Sequence, residues 1–205
     1  MVRQTPAQPK PSTHLTSGIE IRAATADQLD DLAGLFGVSK TVSGCYCMWF
    51  VLPAKQSQAG WAEQNRHAFE SMARDAAEPV GLLAYRDGEA VGWCAAGPRT
   101  RYARALRSPI LKGRDTADDA DVWLVPCFYI RRDARKQGVT RALLSSAVRL
   151  AQAHGAQAIE GFPLAGDARR SAAEAFLGVE PLFASCGFEV VSRPSSGRVV
   201  MRRAL

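Results

Sequence analysis

Phe128-Tyr129-Ile130-Arg131-Arg132-Asp133-Ala134-Arg135-Lys136-Gln137-Gly138-Val139-Thr140-Arg141-Ala142-Leu143-Leu144 is the most informative stretch of this 205-residue chain. An apolar run ends, a basic segment follows, and a helical pattern begins at a glycine. The apolar run reaches back to Asp121 and is hydrophobic on both alternating faces, Val122, Leu124 and Phe128 against Trp123, Val125 and Tyr129. A central strand covered on both sides reads this way. Pro126 lies inside it and has no N–H for a ladder, so a bulge is expected there. Past Gly138, the residues Val139, Leu143, Ala147, Leu150 and Ala151 share one helical face, which Gly155 closes. The N–H groups at a helix start lack partners and the dipole adds positive potential, so a diphosphate is a natural occupant of such a turn. Gly138 lets a phosphate approach the backbone with no Cβ in the way. A P-loop would need Lys-Ser or Lys-Thr after its last glycine, and a dinucleotide fingerprint three spaced glycines; neither is present. Local chemistry alone leaves a plain strand–helix connection equally open.

Working outward toward the N-terminus, two strands at 80–85 and 90–96 flank Asp87-Gly88, a strong hairpin signal. Residues 19–23 alternate apolar and polar as a first strand, and Thr25 stands at an N-cap position before Leu29, Leu32, Leu35 and Phe36. A second helix is expected over 61–77. Residues 97–121 show no period and read as a long charged loop, and long loops in compact domains are usually functional or mobile. On the C-terminal side come a strand at 156–163, a short helix at 181–185 and two strands near 188–192 and 198–203. The order is that of a mixed sheet with helices on its faces, and the strand–helix–strand unit at 121–163 supplies a parallel pair. Residues 1–18 are rich in Pro, Thr, Gln and Ser and read as a disordered tail, which leaves 19–205 as one domain.

The formal net charge of +6 is clustered. Arg99, Arg101, Arg104, Arg107, Lys112 and Arg114 follow one another with no acid between them. Such patches suit nucleic acid or, on a smaller scale, a polyphosphate cofactor. No zinc-finger spacing and no aromatic RNA-binding signature is present, so the cofactor reading is favoured. No window of 18 apolar residues exists, so no transmembrane helix is expected. The odd cysteine count, with Cys94 and Cys127 in apolar runs, points to buried thiols in a reducing, cytoplasmic setting rather than disulfides. Cys45-x-Cys47 has no His or second Cys pair near it, and buried or pocket-lining thiols are preferred there over a metal.

The quoted segment resembles motif A of the GNAT acetyltransferases, Arg/Gln-x-x-Gly-x-Gly/Ala, with Arg135, Gly138 and Thr140 at the motif positions. Thr140 stands where Gly or Ala is usual. Leu182-Phe183-Ala184-Ser185-Cys186-Gly187-Phe188 is similar to the family's last helix, which ends in Gly-Phe before a strand. The resemblance spans roughly residues 19–205. It implies an α/β GNAT fold, a mixed six- to seven-stranded sheet splayed at its central parallel strands with helices on both faces. It also implies an acetyl-CoA-dependent N-acetyltransferase. The amides of Lys136, Gln137, Gly138, Val139 and Thr140 would hold the pyrophosphate, beside Arg135. The backbone from Phe128 through Tyr129 to Ile130 would pair with the pantetheine arm, and Phe183 would pack beside it. The expected partners are acetyl-CoA and a primary-amine acceptor, more readily a small molecule than a protein. No metal, membrane or nucleic-acid partner is expected, and a homodimer is compatible with this reading.

Acyl transfer to an amine needs a base, a polarised carbonyl and a departing thiolate. Glu160, a carboxylate in an apolar strand, is the first candidate for the base; pairing with an arginine or pointing to solvent is its equal alternative. Asp121 is the second candidate. Phe183 occupies the place where many members of this family carry a Tyr acid, four residues before the Gly of Gly-Phe. Cys186 is a nearby substitute. Tyr46, Cys47 and Trp49 fall where the family builds its acceptor wall, though a plain core explains them as well. A non-catalytic acyl-CoA-binding module is the competing function.

Overall fold

The strand that carries Pro126 lies in the middle of the sheet in the computed structural model, which describes residues 14–16, 18–166 and 174–205. The strands are β1 (His14–Thr16), β2 (Ile19–Ala24), β3 (Gly81–Arg86), β4 (Glu89–Pro98), β5 (Val122–Ile130), β6 (Ala158–Gly161), β7 (Glu189–Ser195) and β8 (Arg198–Ala204). They form an eight-stranded sheet in the order β1-β2-β3-β4-β5-β6-β8-β7. β5 and β6 pair in parallel, while the other neighbours are antiparallel. The sheet therefore has one strand more than the six or seven expected. The addition is β1, whose His14-Leu15-Thr16 pairs with the outer edge of β2 inside the segment read as tail. Three residues are too few to show a period, which is why the pattern did not mark them.

The helices are α1 (Leu29–Gly37), α2 (Lys40–Cys45), α3 (Ala54–Ala59), α4 (Glu63–Asp75), α5 (Ala103–Leu106), α6 (Val139–Ala153) and α7 (Glu180–Ala184). α6 buries Leu143, Ala147 and Ala151 against Ile21, Leu82, Val91 and Ile159 on one face of the sheet. On the other face Leu32, Phe36 and Phe69 of α1 and α4 pack on Leu83, Trp93 and Tyr129. Local signals act as their chemistry requires. Thr25 and Gln28 form a capping box ahead of α1. Asp87 and Gly88 take φ of 52° and 82°, the paired positive values of a type I′ hairpin turn.

Pro126 does produce a bulge. Ala95 faces Cys127 and Gly97 faces Leu124, so the single residue Ala96 of β4 opposes Val125 and Pro126 of β5. The parallel pairing with β6 ends at the same point, with Val125 opposite Gly161. From Pro126 onward the second edge of β5 has no strand partner among the described residues, and the 3-10 turn Glu174–Leu177 runs beside it. The strands splay there. Phe183 closes the far side of the gap, fully buried between Phe128, Phe188 and Gly161. A Cβ on Gly161 would lie 2.3 Å from the Phe183 ring. Gly161→Ala is therefore expected to destabilise the domain by about 1–3 kcal/mol through overpacking, read as a lowered urea midpoint with unchanged slope.

The segment expected as a long charged loop is instead a folded layer. It contains 3-10 turns at Arg99–Arg101, Pro109–Leu111 and Ala117–Ala120, together with α5. Tyr102, Ala105 and Leu111 build a third core with Leu124, Phe162 and Val200. Arg101 and Arg114 turn inward as clamps. Arg101 donates to the carbonyls of Glu78, Pro79 and Ala96, and Arg114 to those of Leu106 and Leu111.

Candidate active site

Three features meet along β5: the start of α6, the splayed edge and a large cavity. Gly138 is the N-cap of α6, at φ 78°, and Lys136 two residues earlier is also left-handed at φ 62°. The first helical bond runs from Ala142 N–H to the Gly138 carbonyl at 3.0 Å. The N–H groups of Val139, Thr140 and Arg141 thus have no helical acceptor and point out of the turn. A Cβ placed on Gly138 would meet nothing within 4 Å, so open space lies above these donors. Lys136, Arg135, Arg132 and Arg141 surround it as exposed cations. The loop is braced from below: Gln137 accepts from Arg86 at 2.8 Å and donates to the Asp133 carbonyl at 2.9 Å. Arg135 Nε holds the Ile130 carbonyl at 3.0 Å. A rigid turn with outward N–H groups, a helix dipole and cations fits the pyrophosphate of coenzyme A.

The cavity, of about 980 Å³, opens between the α1–α3 region, α5 and the splayed end of β5. Cys127 and Tyr129 of β5 line it, together with Phe162 and Phe176, with Phe50 against Phe162 at 5.9 Å between ring centroids, and with Trp49 and Trp61. Tyr46 and Cys47 are consecutive left-handed residues at φ 47° and 57°, and this kink turns Cys47 toward the cavity. Tyr46 itself packs into the core, edge-on to Phe36 at 5.1 Å between centroids, and does not line the cavity. Trp93 Nε1–H donates to Cys47 Sγ at 3.2 Å. A hydrogen bond with Cys127, joined by that from Trp93, holds the Cys47 thiol below the usual thiol range against the opposing effect of burial. The same bond and burial push Cys127 well up, and burial pushes Cys45 to about 11.

The other candidates sit elsewhere. Glu160 is buried with both oxygens paired, to Arg99 at 2.9 Å and Arg202 at 3.1 Å, and is absent from the cavity lining. Of its two readings, the ion pair is the one found. Arg99, completely buried, also meets Asp119 at 2.8 Å, and Arg202 meets Asp118 at 3.0 Å. Asp121 is exposed at the start of β5, the end opposite the splay, where its carbonyl accepts from Gln157 N–H. Cys186 is buried under α6 with its sulfur 3.7 Å from the Ser145 hydroxyl. Phe183 is core and does not line the cavity. Among the described residues no group of three or more His, Cys, Asp or Glu is arranged to hold a metal, and no helix is long and apolar enough to cross a membrane.

The parallel β5–α6–β6 unit, its bulge and splay, and the diphosphate-ready turn define an acetyl-CoA-dependent acyltransferase fold. The sequence profile of the acetyltransferase (GNAT) family matches residues 46–177, and the chain belongs to that family. It is an acetyl-CoA-dependent N-acetyltransferase by that membership. Similar solved structures include a ribosomal-protein-alanine N-acetyltransferase from Brucella melitensis, 22% identical over 90% of this chain and 99% of that one, TM-score 0.53. A putative acetyltransferase, yncA from Salmonella typhimurium with acetyl-CoA, is 14% identical over 92% and 95%, TM-score 0.54. The GNAT domain of S. lividans PAT is 18% identical over 91% and 90%, TM-score 0.52. At these identities the likeness is one of fold. No curated protein matches the chain in sequence.

Proposed function

We propose that this enzyme moves the acetyl group of acetyl-CoA to the primary amine of a small molecule held in the cavity. The observation that carries this reading is the cavity itself, which reaches the splayed edge of β5 at Cys127 and Tyr129. A thioester drawn along that edge from the α6 turn presents its carbonyl to whatever the cavity holds. Backbone N–H groups freed by the Pro126 bulge polarise that carbonyl in the manner of an oxyanion hole. Among the described residues the cavity lining contains no carboxylate and no imidazole. Its thiol with a lowered pKa is Cys47, and Cys47 takes the proton of the attacking amine. The C–S bond breaks as the amide bond forms, and the sulfur leaves as a thiolate. With an ordinary thiol pKa of about 8.5, that leaving group needs no dedicated acid, consistent with Phe183 in place of a Tyr.

Free thiol released from acetyl-CoA over a panel of amines tests this. Release that depends on the amine is expected. Binding of acetyl-CoA with no release for any amine would favour the non-catalytic acyl-CoA-binding reading. Cys47→Ala is expected to lower kcat/KM by about 10² or more and to remove the acidic limb of the pH profile, which in the native enzyme lies below the usual thiol range. Cys186→Ala is expected to cost less than about tenfold in kcat. The reverse order of effects would return the proton chemistry to the α6 side of the sheet.

A further inference from the structure

The cavity wall is unevenly charged. Among the described residues, the charged ones in its lining are Arg104, Arg107 and Arg198, with no Asp, Glu or Lys. Arg104 lies flat on Trp49, its Cζ 3.5 Å from the ring centroid, and this stacking fixes the guanidinium plane at the wall. Arg104 Nη1 is buried and has no hydrogen-bond partner among the described residues. A buried guanidinium nitrogen left unpaired is costly; by contrast Arg101 and Arg114 donate to carbonyls and carboxylates, and Arg99 forms ion pairs with Asp119 and Glu160. Much of the remaining lining is aromatic or aliphatic, Trp49, Phe50, Trp61, Ile110 and Phe162 among it. A polyamine or another multiply charged cation finds no counter-charge among the described lining residues.

We infer that the acceptor is an amine that also bears a carboxylate on an apolar or aromatic body, as large apolar amino acids do, and that Arg104 binds its carboxylate. This rests on the reading of the cavity as the acceptor site. Planar guanidinium and planar carboxylate match in a two-pronged hydrogen bond, and the Trp49 face beneath keeps Arg104 from swinging away. The apolar body fills the aromatic wall, and the amine points toward Cys47 and the β5 edge. Arg104 is thus a specificity-determining residue, and the cavity selects against amines that lack the anion because the guanidinium at its wall then has no counter-charge.

The test compares matched pairs that differ only in the anion: L-phenylalanine against L-phenylalaninamide, and para-(aminomethyl)benzoate against its amide. In at least one pair the acid is expected to have a kcat/KM about tenfold to 100-fold above its amide, carried by KM. Arg104→Gln is expected to bring that ratio to within a few-fold of one, and Arg104→Lys to restore part of it. Amides used as well as acids in both pairs would overturn the inference, as would a ratio that Arg104→Gln leaves intact. Should no amine support turnover, the acceptor reading of the cavity fails on its own, and calorimetry with N-acetyl-L-phenylalanine and its amide in the presence of CoA still decides the role of Arg104. Tighter binding of the acid, lost in Arg104→Gln, supports the anion site; equal binding of both overturns it.

Discussion

Gly138→Glu is expected to weaken coenzyme A binding by more than about 10²-fold, because the new carboxylate enters the space where the pyrophosphate belongs. The Gly138 Cβ direction is open, with no neighbour within 4 Å of a Cβ placed there. Its backbone, at φ 78°, does add strain of about 1 kcal/mol for any residue with a Cβ. Gly138→Asn separates the two effects, since Asn tolerates the left-handed region and brings no charge. Calorimetry should find the Asn variant within about tenfold of the native affinity and the Glu variant with no measurable heat, both retaining native circular dichroism. Equal affinities in a folded Glu variant would remove the phosphate from the start of α6.

The second large effect lies beneath the site. Arg99→Leu is expected to destabilise the domain by about 3–5 kcal/mol, since it leaves Glu160 buried with one partner fewer and strips a cation from Asp119. Adding Glu160→Met to Arg99→Leu should recover much of that loss, because an apolar pair of similar volume has no charge to compensate. Urea unfolding of the single and double variants measures both. Glu160→Gln should lower stability while leaving the acidic limb of the rate profile in place, the opposite of what a general base would show. The network also fixes a pH dependence. The Asp119 carboxyl is held below the usual range, chiefly by its hydrogen bond to Arg114 and with help from Arg99. Its contribution is complete above the ordinary Asp value of about 3.9 and is lost as pH falls through the lower, folded-state value. Native stability from this group should therefore hold down to about pH 4 and fade below it, with a smaller fall in Arg99→Leu.

The turn that decides the fold was legible because its parts are local: a two-faced apolar strand, a proline with no N–H, and a glycine at a helix start. Each acts through its own backbone and needs no distant partner to be read. The Asp87-Gly88 hairpin and the Thr25 cap are legible for the same reason. The arginines of 99–114 were misleading because a charge run carries no sign of where its counter-charges are. Arg99 finds Asp119 and Glu160 across the fold, and Arg114 finds backbone carbonyls. For Glu160 the sequence leaves a base and an arginine-paired carboxylate equally open, and only its tertiary neighbours reveal the pair. Cys47 and Trp49 belong to the cavity and Tyr46 to the core, a division set by two left-handed residues that no propensity predicts. Arg104 could have been singled out only by knowing that Trp49, far away in sequence, lies beneath it.

A crystal structure of the enzyme with coenzyme A decides where the cofactor lies. Pyrophosphate oxygens are expected in hydrogen-bond contact with the amides of Val139, Thr140 and Arg141, and the pantetheine along the splayed edge of β5 past Pro126. The sulfur is expected at the mouth of the cavity beside Cys127, within reach of a molecule seated against Arg104. A sulfur emerging instead on the α6 side of the sheet, closed off from the cavity by Tyr129 and Phe176, would overturn both the cofactor path and the acceptor site.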